Sequence, residues 1–229
     1  MLGVIVNTAA VIAGSIIGLI FKRGIPERVT RAVMIGIGLC SLYIGISGSL
    51  SGENVLIVIF AMATGAIIGT LLDLDGKLCM AGERVSKLTK NTGGAGTIAE
   101  GFVTASLLFC IGAMTIVGSL NAGLTGNNEL LFTKSLLDFI SSIMLAASLG
   151  IGVLCSAIFV LVFQGAIVLL AGVLEPILTT SAVNEMTCVG SIMIIGLGLN
   201  ILGISKFKMA DYLPALVMTP IICWVLSLF

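Results

Sequence analysis

"LFTKSLLDFISSIMLAASL", residues 131–149, decides the fold class. An apolar run of this length matches the roughly 30 Å hydrocarbon core of a bilayer. Yet the run carries Lys134 and Asp138, four residues apart and therefore on one face of a helix. Almost everywhere else the chain keeps charge away from its apolar runs, so the pair stands out against a membrane background.

That background is set by composition. Of 229 residues, 58% are hydrophobic and 10% are charged, against about a quarter charged in a soluble domain. Apolar runs of similar length recur from end to end. Inside lipid every backbone polar group needs an internal partner, so such runs are helices or barrel strands. The alternation of barrel strands is missing, and the expected class is an all-α polytopic transmembrane bundle, a single domain over residues 1–229. The net charge is zero and there is no basic tail, so nucleic acid is not an expected partner. Histidine is absent, which removes imidazole as base, ligand or proton relay. Cys40, Cys79, Cys110, Cys155, Cys188 and Cys223 are scattered without a CxxC pair, as expected of small hydrophobes rather than a metal site or disulfide framework. No cofactor and no metal site is expected. The first apolar run precedes Lys22 and Arg23, whereas a cleaved signal has its basic residues in front. It is therefore expected to be a retained helix.

Breaks at charges, glycines and prolines divide the chain into about eight spans, near 2–21, 32–50, 54–72, 98–119, 131–149, 153–174, 186–204 and 212–229. The junction "SLGIG" (148–152) carries no charge, so a re-entrant or half-length pair over 131–174 is the alternative there. Lys22, Arg23, Arg28 and Arg31 follow the first span. Lys77, Arg84, Lys87 and Lys90 follow the third, and Lys206 and Lys208 the seventh. Eight spans put these three loops on one side, which the charge rule makes cytoplasmic, leaving both termini outside. Lys134 is the exception.

"AGSIIGLI" (13–20) followed by "PERVTR" (26–31) matches "TGAIIGTL" (64–71) followed by "GERVSK" (82–87), which predicts a duplicated helical hairpin in the first half. The Gly-x-x-x-Gly spacing suits close helix packing. The second span, "MIGIGLCSLYIGI", also echoes the seventh, "MIIGLGLNILGI", in the opposite direction.

Polar residues at membrane depth supply the candidate site. In the fourth span Glu100, Thr104 and Thr115 share one face, and Gly112 falls mid-span where a helix could unwind. Glu100 also suits a helix N-terminus on dipole grounds alone. Asn7, Gln164 and Asn200 each read most simply as an interhelical hydrogen bond. For Lys134 and Asp138 two readings compete. One is a snorkelling interfacial pair. The other is a functional site, the default for ionisable residues inside a membrane, where an unpaired charge costs on the order of 3 kcal/mol.

"CIGAMTIVGSL…GLTGN…LLFTKSLLDF" together with "NEMTCVGSIMIIGLGLNIL" resembles the bacterial YdfK/YqgA-like family of membrane proteins. The residues that carry the resemblance are Gly112, Ala113, Met114, Thr115, Gly118, Lys134, Asp138, Glu185, Met186 and Asn200. The resemblance implies that members often have glycine after the aspartate, where this chain has Phe139. The resemblance implies a bacterial inner-membrane protein and supplies no substrate.

The function expected from these observations is a small-solute or ion transporter. Its site would join Lys134 and Asp138 to Thr115, Thr104, Gly112 and Asn200, with Glu100 at the inner mouth. The pair would bind a zwitterion or anion, or open when Asp138 is protonated. An ion channel and a structural or regulatory subunit are the alternatives. No catalytic constellation is present, so an enzyme is not expected. The partners are the bilayer and a small solute or ion, with a homo-oligomer left open. Reporter fusions after Arg31, Gly126, Ser181 and Phe229 test the topology. Cytoplasmic activity is expected only at the first, and cytoplasmic activity at the other three would overturn it.

Overall fold

The computed structural model describes residues 1–22, 27–80, 95–110 and 113–226. Among them every regular element is helical: α1 (Leu2–Lys22), α2 (Glu27–Ser49), α3 (Val55–Leu71), α4 (Leu74–Met80), α5 (Ala95–Cys110), α6 (Ala113–Leu124), α7 (Glu129–Leu149), α8 (Ile151–Leu169), α9 (Ala171–Leu174), α10 (Thr180–Ile201), a 3-10 turn (Met209–Tyr212) and α11 (Pro214–Leu226). Five stretches are long and apolar enough to cross a membrane: α1, α7, α8, α10 and Met209–Leu226. Two bent pairs, α3 with α4 at 51° and α5 with α6 at 61°, raise the number to seven. The eighth expected span is the apolar part of α2, Met34–Ser49, which is shorter. The reason lies upstream: α2 runs back over Arg28 and Arg31, both exposed, so its first turns are charged rather than apolar.

The doubtful junction resolves into two helices. Gly150 adopts φ 81°, a left-handed value that residues with a Cβ rarely adopt, and turns α7 directly into α8, which run 21 and 19 residues. Val4, Ala122, Leu131 and Val168 form one apolar cluster, so the starts of α1 and α7 meet the ends of α6 and α8 at one level. At the other level Gly101 and Gly152 bring the start of α5 against the end of α7 and the start of α8. Helix α7 thus runs opposite to α8, while α1 runs parallel to α7.

The packing falls into two groups. In one, α1 lies against α7 and α8, and α8 against α5 and α6. In the other, α2 lies against α10, and α3 against α11. Helix α5 joins them: Ala105 and Phe109 belong to the core of the first group, Val103 and Leu107 to that of the second. Large side chains such as Ile20, Tyr43, Leu71, Ile158 and Val217 are exposed on the flanks. In water these would be a liability; against lipid they are the expected surface.

Without a hydrophobic force between helices in lipid, close approach carries the packing. A Cβ on Gly14 would fall onto the Phe139 carbonyl and the Ser142 hydroxyl of α7, and one on Gly69 onto the Asp211 carbonyl. These are glycines of the two matched sequence blocks. Gly14 serves a parallel neighbour, α7, and Gly69 an antiparallel one at the start of α11. The second block's basic half, Glu83–Lys87, lies outside the described residues. The two helices whose sequences echo in opposite directions, α2 and α10, pack face to face, with Gly38 against Gly198 and Leu202, and Gly48 against Ser191.

Two buried carboxylates start helices. Glu185 on α10 accepts hydrogen bonds through Oε1 from the Glu53 and Asn54 backbone N–H groups, at 2.8 and 2.7 Å, just ahead of α3. Asp211 accepts from the Asp75 N–H at 2.9 Å, at the head of α4. Negative charge at a helix N-terminus answers both its unpaired donors and its dipole.

Replacing Gly14 with leucine forces α1 off α7 and is expected to cost about 3 kcal/mol or more. Gly172→Leu, where nothing lies within 4 Å of a Cβ, is expected to be silent. Thermal unfolding of the purified protein in detergent compares them. In the same assay Glu185→Ala should cost about 3 kcal/mol, because two backbone donors lose their acceptor, while Glu185→Gln, which keeps a carbonyl oxygen, should cost less.

Candidate functional site

Helix α7 is 21 residues long, about 31 Å at 1.5 Å per residue. Asp138 is nine residues from its start, about 13.5 Å along, near the middle of the span. Lys134 sits one turn nearer the start of the helix. Both are buried, Asp138 at 2% exposure and Lys134 at 9%. Lys134 Nζ donates to Asp138 Oδ1 at 2.5 Å. The ammonium also lies 5.9 Å from the centre of the Phe109 ring on α5, within reach of the ring's negative face.

The second Asp138 oxygen reaches the other way. Oδ2 accepts from Asn7 Nδ2 on α1 at 3.1 Å, and the same amide donates to Gln164 Oε1 on α8 at 3.2 Å. Asn7 and Gln164 are wholly buried. A polar chain thus runs from Lys134 through Asp138 and Asn7 to Gln164, across three helices. Among the described residues Asn7 Oδ1 and Gln164 Nε2 have no hydrogen-bond partner. Sequence reasoning read these amides as separate interhelical bonds; the fold makes them the backing of the aspartate.

On its open side the ion pair borders a cavity of about 850 Å³ between α2, α5, α7 and α10. Its walls are mostly apolar, with Ile37, Leu108, Phe109, Leu145 and Ile194 among them, and its rim includes exposed Tyr43 and Met144, so it opens on the flank of the bundle. Ser41, Ser47, Ser141, Thr187 and Ser191 also border it.

The other expected site residues are dispersed. Thr115 is buried and donates its hydroxyl to the Phe109 carbonyl at 3.0 Å, across the bend between α5 and α6. A carbonyl near the end of α5 lacks its normal helical donor, and Thr115 supplies one. Thr115 therefore supports the residue beneath Lys134 and does not border the cavity. Glu100 and Asn200 border a different cavity, about 290 Å³, with Asp75, Lys206 and Lys208. Gly101 lies at the level of Leu149, so Glu100 is about 22 Å from Lys134 along the α7 axis. Asn200 is committed to its loop: Oδ1 accepts from Ser205 Oγ and Phe207 N, and Nδ2 donates to the Phe207 carbonyl. Thr104 is buried, and its hydroxyl has no hydrogen-bond partner among the described residues. Gly112 lies outside the described residues.

Glu185 was noted in the sequence only among residues carrying the resemblance. It is wholly buried, and its Oε2 has no hydrogen-bond partner among the described residues. The span drawn from 186 left this acid in a loop, but α10 begins at Thr180 and places it inside the helix. The signal was the N-cap residue Thr179, whose side chain accepts from the Ala182 N–H.

Comparison with known proteins bears on identity. The chain is 37% identical over 233 residues to "Uncharacterized membrane protein YdfK" of Bacillus subtilis (strain 168), covering 100% of this chain and 98% of that one. It is 30% identical over 221 residues to "Uncharacterized protein YqgA" of Escherichia coli (strain K12), covering 95% and 94%. No solved structure matches. The family model described as "Protein of unknown function (DUF554)" matches residues 2–224, and this helical membrane protein belongs to that family.

Proposed function

We propose that the chain carries a small solute or ion across the bacterial inner membrane, with both termini outside. The observation that carries this reading is the buried Lys134–Asp138 pair on the wall of the 850 Å³ cavity, near the middle of α7. Ionised groups at that depth are costly and persist where they pair or serve a pathway. A cavity of this size, mostly apolar with a few converging polar groups, has the character of a ligand site. On this reading the activity resides within the helical bundle and is transport rather than catalysis. The first two hairpins are read as duplicates, each with a basic loop on the cytoplasmic side.

The structural or regulatory alternative draws on one specific observation: Asp138 is also tied to Asn7 and, through it, to Gln164, as an interhelical staple would be. One experiment separates the two. Lys134→Met leaves a buried aspartate without its cation and is expected to cost about 3–5 kcal/mol, whereas Lys134→Met with Asp138→Leu removes both charges and should cost less. The double variant is then reconstituted in proteoliposomes. A folded protein that has lost the parent's solute or ion flux supports transport. Retention of that flux, or absence of any flux in the parent, favours the structural reading.

A further inference from the structure

The geometry points to a net-neutral, zwitterionic ligand with an apolar body, of the kind represented by an apolar α-amino acid, as the occupant of the cavity beside Lys134 and Asp138. This rests on reading that cavity as a solute site and names what it would hold.

Three observations converge. The first is charge. Lys134 and Asp138 are the only lysine, arginine, aspartate or glutamate side chains bordering the cavity among the described residues, and their charges cancel. A ligand with net charge would leave that charge uncompensated at membrane depth, where it is poorly solvated. A zwitterion leaves the total at zero. Its carboxylate can meet Lys134, whose ammonium has three donors and uses one on Asp138. Its ammonium can meet Asp138, whose carboxylate has further acceptor capacity beyond the bonds from Lys134 and Asn7.

The second is the hydroxyls. Serine in a helix commonly donates to a carbonyl of the preceding turn, as Ser135, Ser142 and Ser156 do here. Ser41, Ser47, Ser141 and Ser191 border the cavity and have no hydrogen-bond partner among the described residues. Ser41 and Ser191 are buried in the bundle, 2% and 3% exposed. These hydroxyls are free to donate to a carboxylate or accept from an ammonium. The third is the remaining wall, which is aliphatic and aromatic, with Ile37, Leu108, Phe109, Leu145 and Ile194. It suits a hydrocarbon side chain and offers nothing to a second charge.

The test uses the full-length protein in detergent, with thermal unfolding and calorimetry as readouts. The probes are L-leucine, L-methionine and L-phenylalanine. 4-Methylpentanoate and 3-phenylpropanoate serve as the anions without the ammonium, and isoamylamine and 2-phenylethylamine as the cations without the carboxylate. At least one amino acid should bind about tenfold more tightly than its matched anion and amine. Asp138→Asn leaves Lys134 as an uncompensated cation, so that variant should reverse the preference and favour the anion over the amino acid. Should it fail to fold, Ser191→Ala takes its place, with an unchanged ligand-free unfolding temperature and a several-fold loss of amino-acid affinity. No binding by any of the three amino acids overturns the assignment. So does parent binding of an anion or amine equal to that of its amino acid, or a zwitterion preference that survives Asp138→Asn. Its failure is separable from that of the transport reading: amino-acid binding without flux leaves the ligand class and removes transport, while flux of another solute without amino-acid binding does the reverse.

Discussion

An ammonium and a carboxylate are held together in the interior of a bundle whose other contacts are almost all apolar. Neither could sit there alone. The aspartate is fixed by the lysine one turn earlier on its own helix and by an amide from α1, which is fixed in turn by an amide from α8. That sequence of bonds explains why α1 lies so closely along α7. Glycines at positions 14 and 18 let the two backbones meet, and the meeting brings Asn7 within reach of Asp138. The small residues and the polar residues of α1 are therefore parts of one arrangement. Without the glycines the amide would stand too far away, and without the amide one aspartate oxygen would be left bare.

The same logic governs the second group of helices. Glu185 is buried because α2, α3 and α10 meet at their ends, where the backbone N–H groups of the turn into α3 need an acceptor. In water such groups would be solvated. In lipid an internal partner is obligatory, and a carboxylate one helix away supplies it. The two ends of the bundle differ in consequence. One holds Glu185, with Lys134 and Asp138 a little deeper. The other holds the smaller cavity with Glu100, Asp75, Lys206 and Lys208.

Much of this was legible in the sequence because hydropathy reports directly on the solvent. The helical class follows from run length, and the spacing of Lys134 and Asp138 places them on one face. The pair's partners were less legible. Nothing local in "GVIVN" says that Asn7 meets Asp138, 131 residues away. Thr115 shows the converse: its spacing with Thr104 and Glu100 is right for one face of a straight helix, but the 61° bend between α5 and α6 breaks that face. Asn200 has the composition of a bundle hydrogen bond and spends it on closing its own loop. Glu185 was misplaced by a boundary error of six residues, because capping by Thr179 extends α10 beyond its apolar stretch.

The turn at Gly150 has a mechanical consequence. With a single residue between α7 and α8, neither helix has slack to tilt without the other. Helix α1 is bound to both, through glycine contacts on one side and the amide chain on the other. These three helices therefore behave as one stiff lever that carries the ion pair. The cavity's opposite wall belongs to α2 and α10, which are coupled to each other by their own glycine face. Any change in the width of the cavity then has to come from rocking of one packed unit against the other, with α5 as the fulcrum, rather than from the swing of a single helix.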